Sequence, residues 1–420
     1  MALKKLVFKP GINREVTRYT NENGWYDCDK VRFRQGFPEK IGGWERISTY
    51  SYLGVAKSLF NFITLGEANL LGVGTNLKFY IEQGGEYYDV TPIRDTTAAG
   101  DVTFSATSGS STITVTDTSH AALEGNFVTF SGAVTLGGNI TADVLNQNYE
   151  VQTVPTADTY TITAKDTNGD TVTANASDTG NGGSSVVGAY EIYTGVSNAV
   201  PFSGWGGGSW GSGVWGTGGT SDKRLRLWSQ SNFGEDLIFG PRGGALYYWD
   251  ASNGVSTRAL ELSAAFSGSA SDVPTKQNFI LISDASRFVF CFGVNLQGSA
   301  TFDPMLIRWS DQEDPANWSP ASTNQAGSLK LSKGSVIITA QQSRQEILVW
   351  TDSSLYSLQY QGAPIVWSSQ LVGDNISIAS QNAVAYSSGI AFWMGKDKFY
   401  AYDGRTQTLP CDVKRYVFND

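Results

Sequence analysis

Gln345-Glu346-Ile347-Leu348-Val349-Trp350, followed by Leu355-Tyr356-Ser357-Leu358, decides the fold of this chain. A polar turn leads into an apolar run, a short Asp-containing turn follows, and a second run carries aromatic and aliphatic residues. Four other segments share the layout. They are Gly66–Val73 with Leu77–Tyr80, Gly234–Gly240 with Leu246–Trp249, Ser286–Phe292 with Leu306–Trp309, and Ser388–Trp393 with Lys398–Tyr402. A strand-like run precedes each copy: Ser58–Phe62, Leu225–Trp228, Phe279–Ile282, Val336–Thr339 and Ala383–Tyr386. A further strand follows a Gly turn in at least two, Gln83–Tyr88 and Tyr360–Ile365.

Each copy therefore holds about four strands, the content of one propeller blade. The last four copies recur at about 50, 60 and 40 residues, within the range of blade repeats. A lone meander cannot bury its own face, so neighbouring units must pack on one another. The expected fold is all-β: a β-propeller core of at least five four-stranded blades, near residues 55–95, 222–262, 275–320, 333–373 and 378–415, with an inserted small β-domain. An open sandwich with coincidental hairpins is the competing reading.

Composition agrees with strands and turns. The 420 residues include 47 Gly and 12% aromatics, but only 16% charged residues, and no sustained helical stripe is visible. Cys28, Cys291 and Cys411 lie far apart, form no metal-type spacing and are odd in number, which argues against a disulfide framework and for assembly in a reducing cytoplasm. The run after Lys4-Lys5 is too short for a signal peptide, and no apolar run approaches a membrane span.

The net charge of −9 is uneven. The first fifty residues hold ten basic and six acidic residues, a balance of +4, whereas residues 101–190 hold nine acidic residues against Lys165 alone, a balance of −8. The basic arm suits an acidic partner or nucleic acid; a mixed, solvated surface explains it equally. We divide the chain into an arm (1–54), a propeller core (55–94 and 191–420) and an inserted β-rich domain (95–190). Thr112–Thr116 and Thr159–Thr163 in the insert alternate with period two, as half-buried strands do. His120, the single histidine, falls in an expected loop there.

Residues 203–219 place Trp205, Trp210 and Trp215 every five residues among glycines, a period of neither strand nor helix. The segment reads as a wrapped loop that plugs a gap between blades, or as a tip that packs on a neighbouring subunit or lines a channel.

Catalytic chemistry is sparse. One histidine nearly excludes a Ser-His-Asp or Cys-His arrangement, and no zinc spacing or P-loop is present. Ser310-Asp311-Gln312-Glu313-Asp314-Pro315-Ala316-Asn317-Trp318 is loosely similar to the Asp-containing turn of sialidase-like propellers, but lacks its Gly and Thr and occurs once. An Asp-Pro turn capped by Trp explains it without catalysis.

The strongest local signal is Pro10-Gly11-Ile12-Asn13 with Asn23-Gly24-Trp25-Tyr26-Asp27-Cys28-Asp29-Lys30-Val31-Arg32-Phe33-Arg34-Gln35-Gly36-Phe37-Pro38-Glu39-Lys40-Ile41-Gly42-Gly43-Trp44. It resembles the N-terminus of the tail nozzle or packaged-DNA stabilisation proteins of short-tailed bacteriophages, in which an arm precedes a propeller. Arg308-Trp309-Ser310-Asp311 and the Trp/Gly loop also resemble that family, and the likeness covers most of the chain outside 95–190.

The resemblance implies a structural virion protein, a ring, most often a homohexamer, through which phage DNA is retained and ejected. It implies no enzyme activity, cofactor or metal. The implied partners are copies of itself, a tail adaptor, tail fibre or spike proteins and, transiently, phage DNA, with no membrane insertion by this chain. The implied location is the virion tail, assembled in the host cytoplasm. Candidate interface residues are Trp25, Arg32, Phe33, Arg34, Trp44, Trp205, Trp210 and Trp215. The alternative is a carbohydrate-binding or carbohydrate-degrading propeller of adhesin or depolymerase type. Family members often carry further blades or a C-terminal region, so the blade ring is expected either to close with the basic N-terminal segment as a missing strand or to belong to a longer protein.

Overall fold

The computed structural model describes residues 8–46, 48–177, 180–195, 225, 227–284 and 286–418. The chain is all-β in the expected sense: its repeating element is a four-stranded antiparallel meander, the sheet of a propeller blade, and there are five of them among the described residues. They fall into two compact units, Tyr50–Ser267 and Met1–Thr49 with Gly268–Asp420.

In the first unit, one sheet comprises Ala56–Ile63, Asn69–Thr75, Phe79–Gln83 and Glu86–Asp89, in that order. The next comprises Trp228–Phe233, Asp236–Pro241, Tyr247–Trp249 and Leu260–Glu261. Their first strands run side by side. Glycine permits that approach: a Cβ on Gly74 would lie 2.4 Å from the Trp228 ring, and one on Gly72 would lie 2.1 Å from the Gln230 amide oxygen. Trp228 is buried, donates its indole N–H to the Thr75 carbonyl at 2.6 Å, and lies near Phe79, which stacks on Phe239 at 3.8 Å. Burying each such ring contributes roughly 1.5–3 kcal/mol.

Between these two sheets the chain builds two more. One has the order Asn148–Glu150, Phe127–Ser131, Val187–Glu191, Ile93–Thr96; the other Thr153–Thr156, Thr159–Thr163, Thr112–Thr116, Thr103–Ala106. Period-two alternation sends Phe104, Ile113, Val115, Tyr160 and Ile162 into a core that residues 102–190 supply among themselves. The entering strand Ile93–Thr96 and the leaving strand Val187–Glu191 pair with each other as a stem.

A buried ionic node sits at the foot of that stem. Lys78 Nζ lies 2.7 Å from Asp89 Oδ2 and 2.8 Å from Glu191 Oε1, and Arg258 Nη2 lies 3.0 Å from the same Glu191 oxygen. Asn148 donates to it at 3.0 Å, and Phe127 faces the Lys78 ammonium at 4.6 Å. The node thus joins both sheets and the insert, and pairing is what makes burial of Lys78 and Glu191 tolerable.

The second unit carries three meanders. The first is Gln277–Ile282, Val289–Asn295, Phe302–Trp309 and Gly327–Lys330; the second Ile337–Gln342, Ile347–Thr351, Ser354–Gly362 and Val366–Asp374; the third Val384–Ser387, Ile390–Met394, Phe399–Tyr402 and Thr406–Leu409. The first strands of consecutive sheets again adjoin. Phe288, Phe290 and Trp367 pack between the first two sheets, and Trp350, Trp393 and Tyr400 between the last two.

One device recurs. Asn76 Oδ1 accepts the N–H of Val55 at 2.7 Å, and Asp352 Oδ1 accepts that of Ser335 at 2.8 Å. Each acceptor follows a threonine, Thr75 or Thr351, whose hydroxyl closes the next turn. In both sheets a side chain in the second hairpin clasps the backbone that leads into the first strand, supplying a partner that backbone N–H groups need.

Three strand expectations shift. Tyr360–Ile365 is not a separate strand: Ser354–Gly362 runs on to a turn and Val366–Asp374 returns, because Gly362 takes a positive φ there. Of the expected strand Leu225–Trp228, Arg226 lies outside the described residues and Trp228 opens the described strand Trp228–Phe233. The sheet that begins at Gln277–Ile282 ends at Gly327–Lys330, past the expected limit of 320, because a long connection from Ser310 intervenes.

Candidate assembly interface

The arm folds around its own aromatic pair. Val31–Arg34 and Phe37–Lys40 form a hairpin with Arg32 opposite Glu39 and Phe33 opposite Pro38. Its turn uses Gln35 and Gly36, both at positive φ. Alternation turns Arg32 and Arg34 outward and leaves Phe33 half-buried. Phe33 meets Trp25 at 6.2 Å between ring centroids, and Trp25 meets Phe8 at 5.8 Å. Asn13 N–H donates to the Trp25 carbonyl at 2.9 Å, which fixes the preceding segment alongside.

That segment is also tied to the end of the same unit. Arg14 N–H donates to the Asp412 carbonyl at 2.8 Å, and the Arg14 guanidinium stacks 4.1 Å from the Tyr416 ring. Glu15 accepts the backbone N–H of Arg415 at 2.7 Å, and Arg14 pairs with Asp27 at 2.7 Å. The cation–π and ionic contacts hold the arm to the short helix Lys414–Phe418.

The predicted residues therefore separate into two groups. Trp25 and Phe33 are the internal packing of the arm. Arg32, Arg34 and Trp44 point to solvent, Arg32 with Glu39 as its neighbour and Trp44 fully exposed. Trp205, Trp210 and Trp215 lie outside the described residues. Phe37, 74% exposed, and Ile41 join the outward set. The sequence analysis missed both; the signal was the alternation of the hairpin itself, which puts Phe37 across from outward-facing Arg34.

Elsewhere, the acidic side chains with enzyme-like context serve the backbone. In the Ser310–Trp318 turn, Asp314 accepts the Ala316 N–H at 3.0 Å, Asp311 accepts those of Gln312 and Gln325 at 2.8 Å, and the buried Trp318 donates to the Pro315 carbonyl at 2.7 Å. Arg308, buried beneath, pairs with Asp272 at 2.6 Å. His120 is buried in the core of the insert, edge-on to Tyr160, with Nδ1 accepting the Ala122 N–H at 2.9 Å. Among the described residues no three His, Cys, Asp or Glu side chains cluster as metal ligands would, and no helix is long and apolar enough to cross a membrane. An open groove of about 520 Å³ on the last meander is lined by Phe392, Trp393, Phe399, Tyr400 and Leu409 among others, and by no carboxylate.

No family model matches the chain, and no curated protein sequence matches it. Several solved structures are distantly similar. An endosialidase of phage phi92 is 12% identical over 85% of this chain and 55% of its own, with a TM-score of 0.26. BBS1N, solved in complex with ARL6DN, is 8% identical over 87% of this chain and 83% of its own, with a TM-score of 0.30. PorZ, a surface component of the type-IX secretion system of Porphyromonas gingivalis, is 12% identical over 92% and 43%, with a TM-score of 0.20. The chain spans about half the length of the endosialidase.

Proposed function

We propose that this chain is a structural protein of a phage tail, a nozzle subunit that assembles as a ring, most often of six, and through which DNA is held and then released. One observation carries the reading: the arm is anchored on its inner side and presents Arg34, Phe37, Ile41 and Trp44 outward. Exposed aromatic and Arg side chains on a rigid hairpin are the residue types that anchor protein interfaces. A hairpin fixed to its own unit in this way is suited to clip onto a neighbouring subunit or onto an adaptor above it. Repeated head-to-tail contacts of this kind close into cyclic rings.

Fibre or spike proteins would dock on the same assembly, and DNA contact is transient. The net charge of −9 suits a conduit that does not grip phosphates. The role needs no catalysis, cofactor or metal, and it places the protein in the virion tail after assembly in the host cytoplasm.

The mass of the native assembly tests the reading. The chain weighs 45.3 kDa, and six copies are expected. Because residues 14 and 15 also hold the C-terminal helix, the arm is best altered by substitution. Phe37→Ser with Trp44→Ala should leave each chain folded and abolish ring formation and docking to tails. A wild-type chain that stays monomeric beside its tail partners overturns the nozzle; a doubly substituted chain that still forms rings overturns the role of the arm.

A further inference from the structure

We infer that the open groove on the last meander receives the arm of a second copy of this chain. The inference rests on the ring reading and names the surface that the arm meets. The groove is built by register. Ala385, Phe392, Ala401 and Gln407 stand in one row across the four strands. Met394, Phe399 and Leu409 form the next row. The alternate residues, among them Trp393, Tyr400 and Tyr402, turn the other way and pack on the preceding sheet. Small Ala383 and Ala385 beside Phe392, Phe399 and Leu409 leave a hollow of about 520 Å³, which Pro410 and Cys411 also line.

This face is open in a single copy. The preceding sheet buries side chains on both of its faces, Val349 and Tyr356 on one, Leu348 and Leu355 on the other. On the last sheet Phe418 comes to 5.2 Å from Phe399, yet Phe392 stays 38% exposed. The arm of the same copy does not fill the groove, because Trp44 is fully exposed and Phe37 and Ile41 largely so. Ile41 N–H donates to the Lys30 carbonyl at 2.9 Å, so the hairpin holds that residue in place. Arm and groove belong to one compact unit. Arg14 N–H is bonded to the carbonyl of Asp412, next to Cys411 in the lining. A projection and a hollow fixed on one body repeat the same head-to-tail contact from copy to copy, which is how rings are built.

The area involved is what such a contact needs. Phe37 and Trp44 each bring roughly 150–250 Å² of surface, Ile41 somewhat less, and the groove loses a similar area. The total is about 1,000 Å², the threshold of a specific interface. Aromatic side chains seated in a desolvated pocket carry most of the binding energy at such contacts. In a closed ring every copy is held twice, so modest contacts add to a firm assembly. The chemistry agrees as well: the lining carries no charged residue, and neither do the three inserted positions.

The test mixes full-length variants at high protein concentration and reads mass by sedimentation velocity. Ala385→Glu puts a charge into the groove at an exposed position. Ala385→Trp blocks the groove by volume, and it decides the matter if the Glu variant disturbs the fold. Each alone should lose the rings and remain a folded monomer. Phe37→Ser with Trp44→Ala keeps the groove and loses the projection, and should also be monomeric. Mixed, the two kinds of variant should form pairs of chains and nothing larger, because one intact arm and one intact groove remain between them. A groove-blocked chain that still forms rings overturns the inference and leaves the ring reading standing, as do monomeric variants that fail to pair. Groove-blocked rings that fail only to join tails overturn it too, and give the groove to the adaptor. A wild-type chain that stays monomeric beside its tail partners overturns the ring reading and the inference with it.

Discussion

Replacing Lys78 by Met isolates the worth of the buried node. The substitution keeps most of the stem volume and removes the cation that lies 2.7 Å from Asp89 and 2.8 Å from Glu191. Among the described residues, two carboxylates, one of them almost wholly buried, are then left with Arg258 as their remaining cation. Removing one member of a buried ionic set costs about 3–5 kcal/mol, because the remaining charge keeps its desolvation penalty. Hydrogen exchange read by mass spectrometry on peptides covering 77–91 and 186–192 reports the local opening. A loss of about 3 kcal/mol appears there as a roughly hundredfold faster exchange.

The pH dependence adds a second reading. Burial pushes the Asp89 carboxyl up, but the Lys78 and Arg258 cations outweigh it and hold the group below its ordinary value. A depressed folded value means that its contribution is fully present above the unfolded value, near 3.9, and is lost as pH falls through the folded one. The difference between wild type and variant should therefore be largest at pH 7 and shrink below pH 4. A penalty under about 1 kcal/mol, or one that is the same at every pH, refutes the reasoning.

Gly74→Ala should cost about 1–3 kcal/mol in the Tyr50–Ser267 unit, since its methyl would overlap the Trp228 ring; an unchanged melting curve would show that the sheets part freely. Thiol titration of the native chain should find Cys28 and Cys411 reactive and Cys291 protected until unfolding, because burial pushes the Cys291 thiol far up, against a smaller opposing effect of Arg308. Deletion of residues 96–189 with a short Gly linker should leave both flanking sheets folded, since Asp95 and Tyr190 are already strand partners and the node loses only Asn148 and Phe127; an insoluble product would make the insert integral to the unit.

The meanders were legible because their second and third strands are continuous apolar runs, such as Ile347–Trp350, set off by turns. Edge strands were harder. Leu260–Glu261 and Gly327–Lys330 are short, and their residues are largely exposed or half-buried, so no apolar period marks them. The clasps at Asn76 and Asp352 were invisible for a different reason: each joins residues 17–21 apart through one side-chain oxygen, with no repeated spacing to reveal it. At the arm, the alternation of Arg32, Phe33 and Arg34 was readable, whereas the inward role of Trp25 was not. An isolated Trp between polar residues looks the same whether its ring packs on Phe33 or faces solvent. The rows of the last meander could be seen strand by strand, but their alignment depends on register, which a single sequence does not display.

The contact between Gly74 and Trp228 has a consequence for the order of events on the ribosome. Trp228 reaches the Thr75 carbonyl across 153 residues of chain. The first sheet can close its own hairpins as it emerges, but its glycine-lined face waits until the whole insert has been made. At roughly 5–20 residues per second, that interval is on the order of ten seconds or more. The insert supplies its own core and can fold during that time. Its stem then brings residues 93–96 and 189–191 together, so that most of the 153-residue separation is already closed. A domain that looks like ornament in the finished molecule thus shortens the stretch of open chain that separates the two sheets.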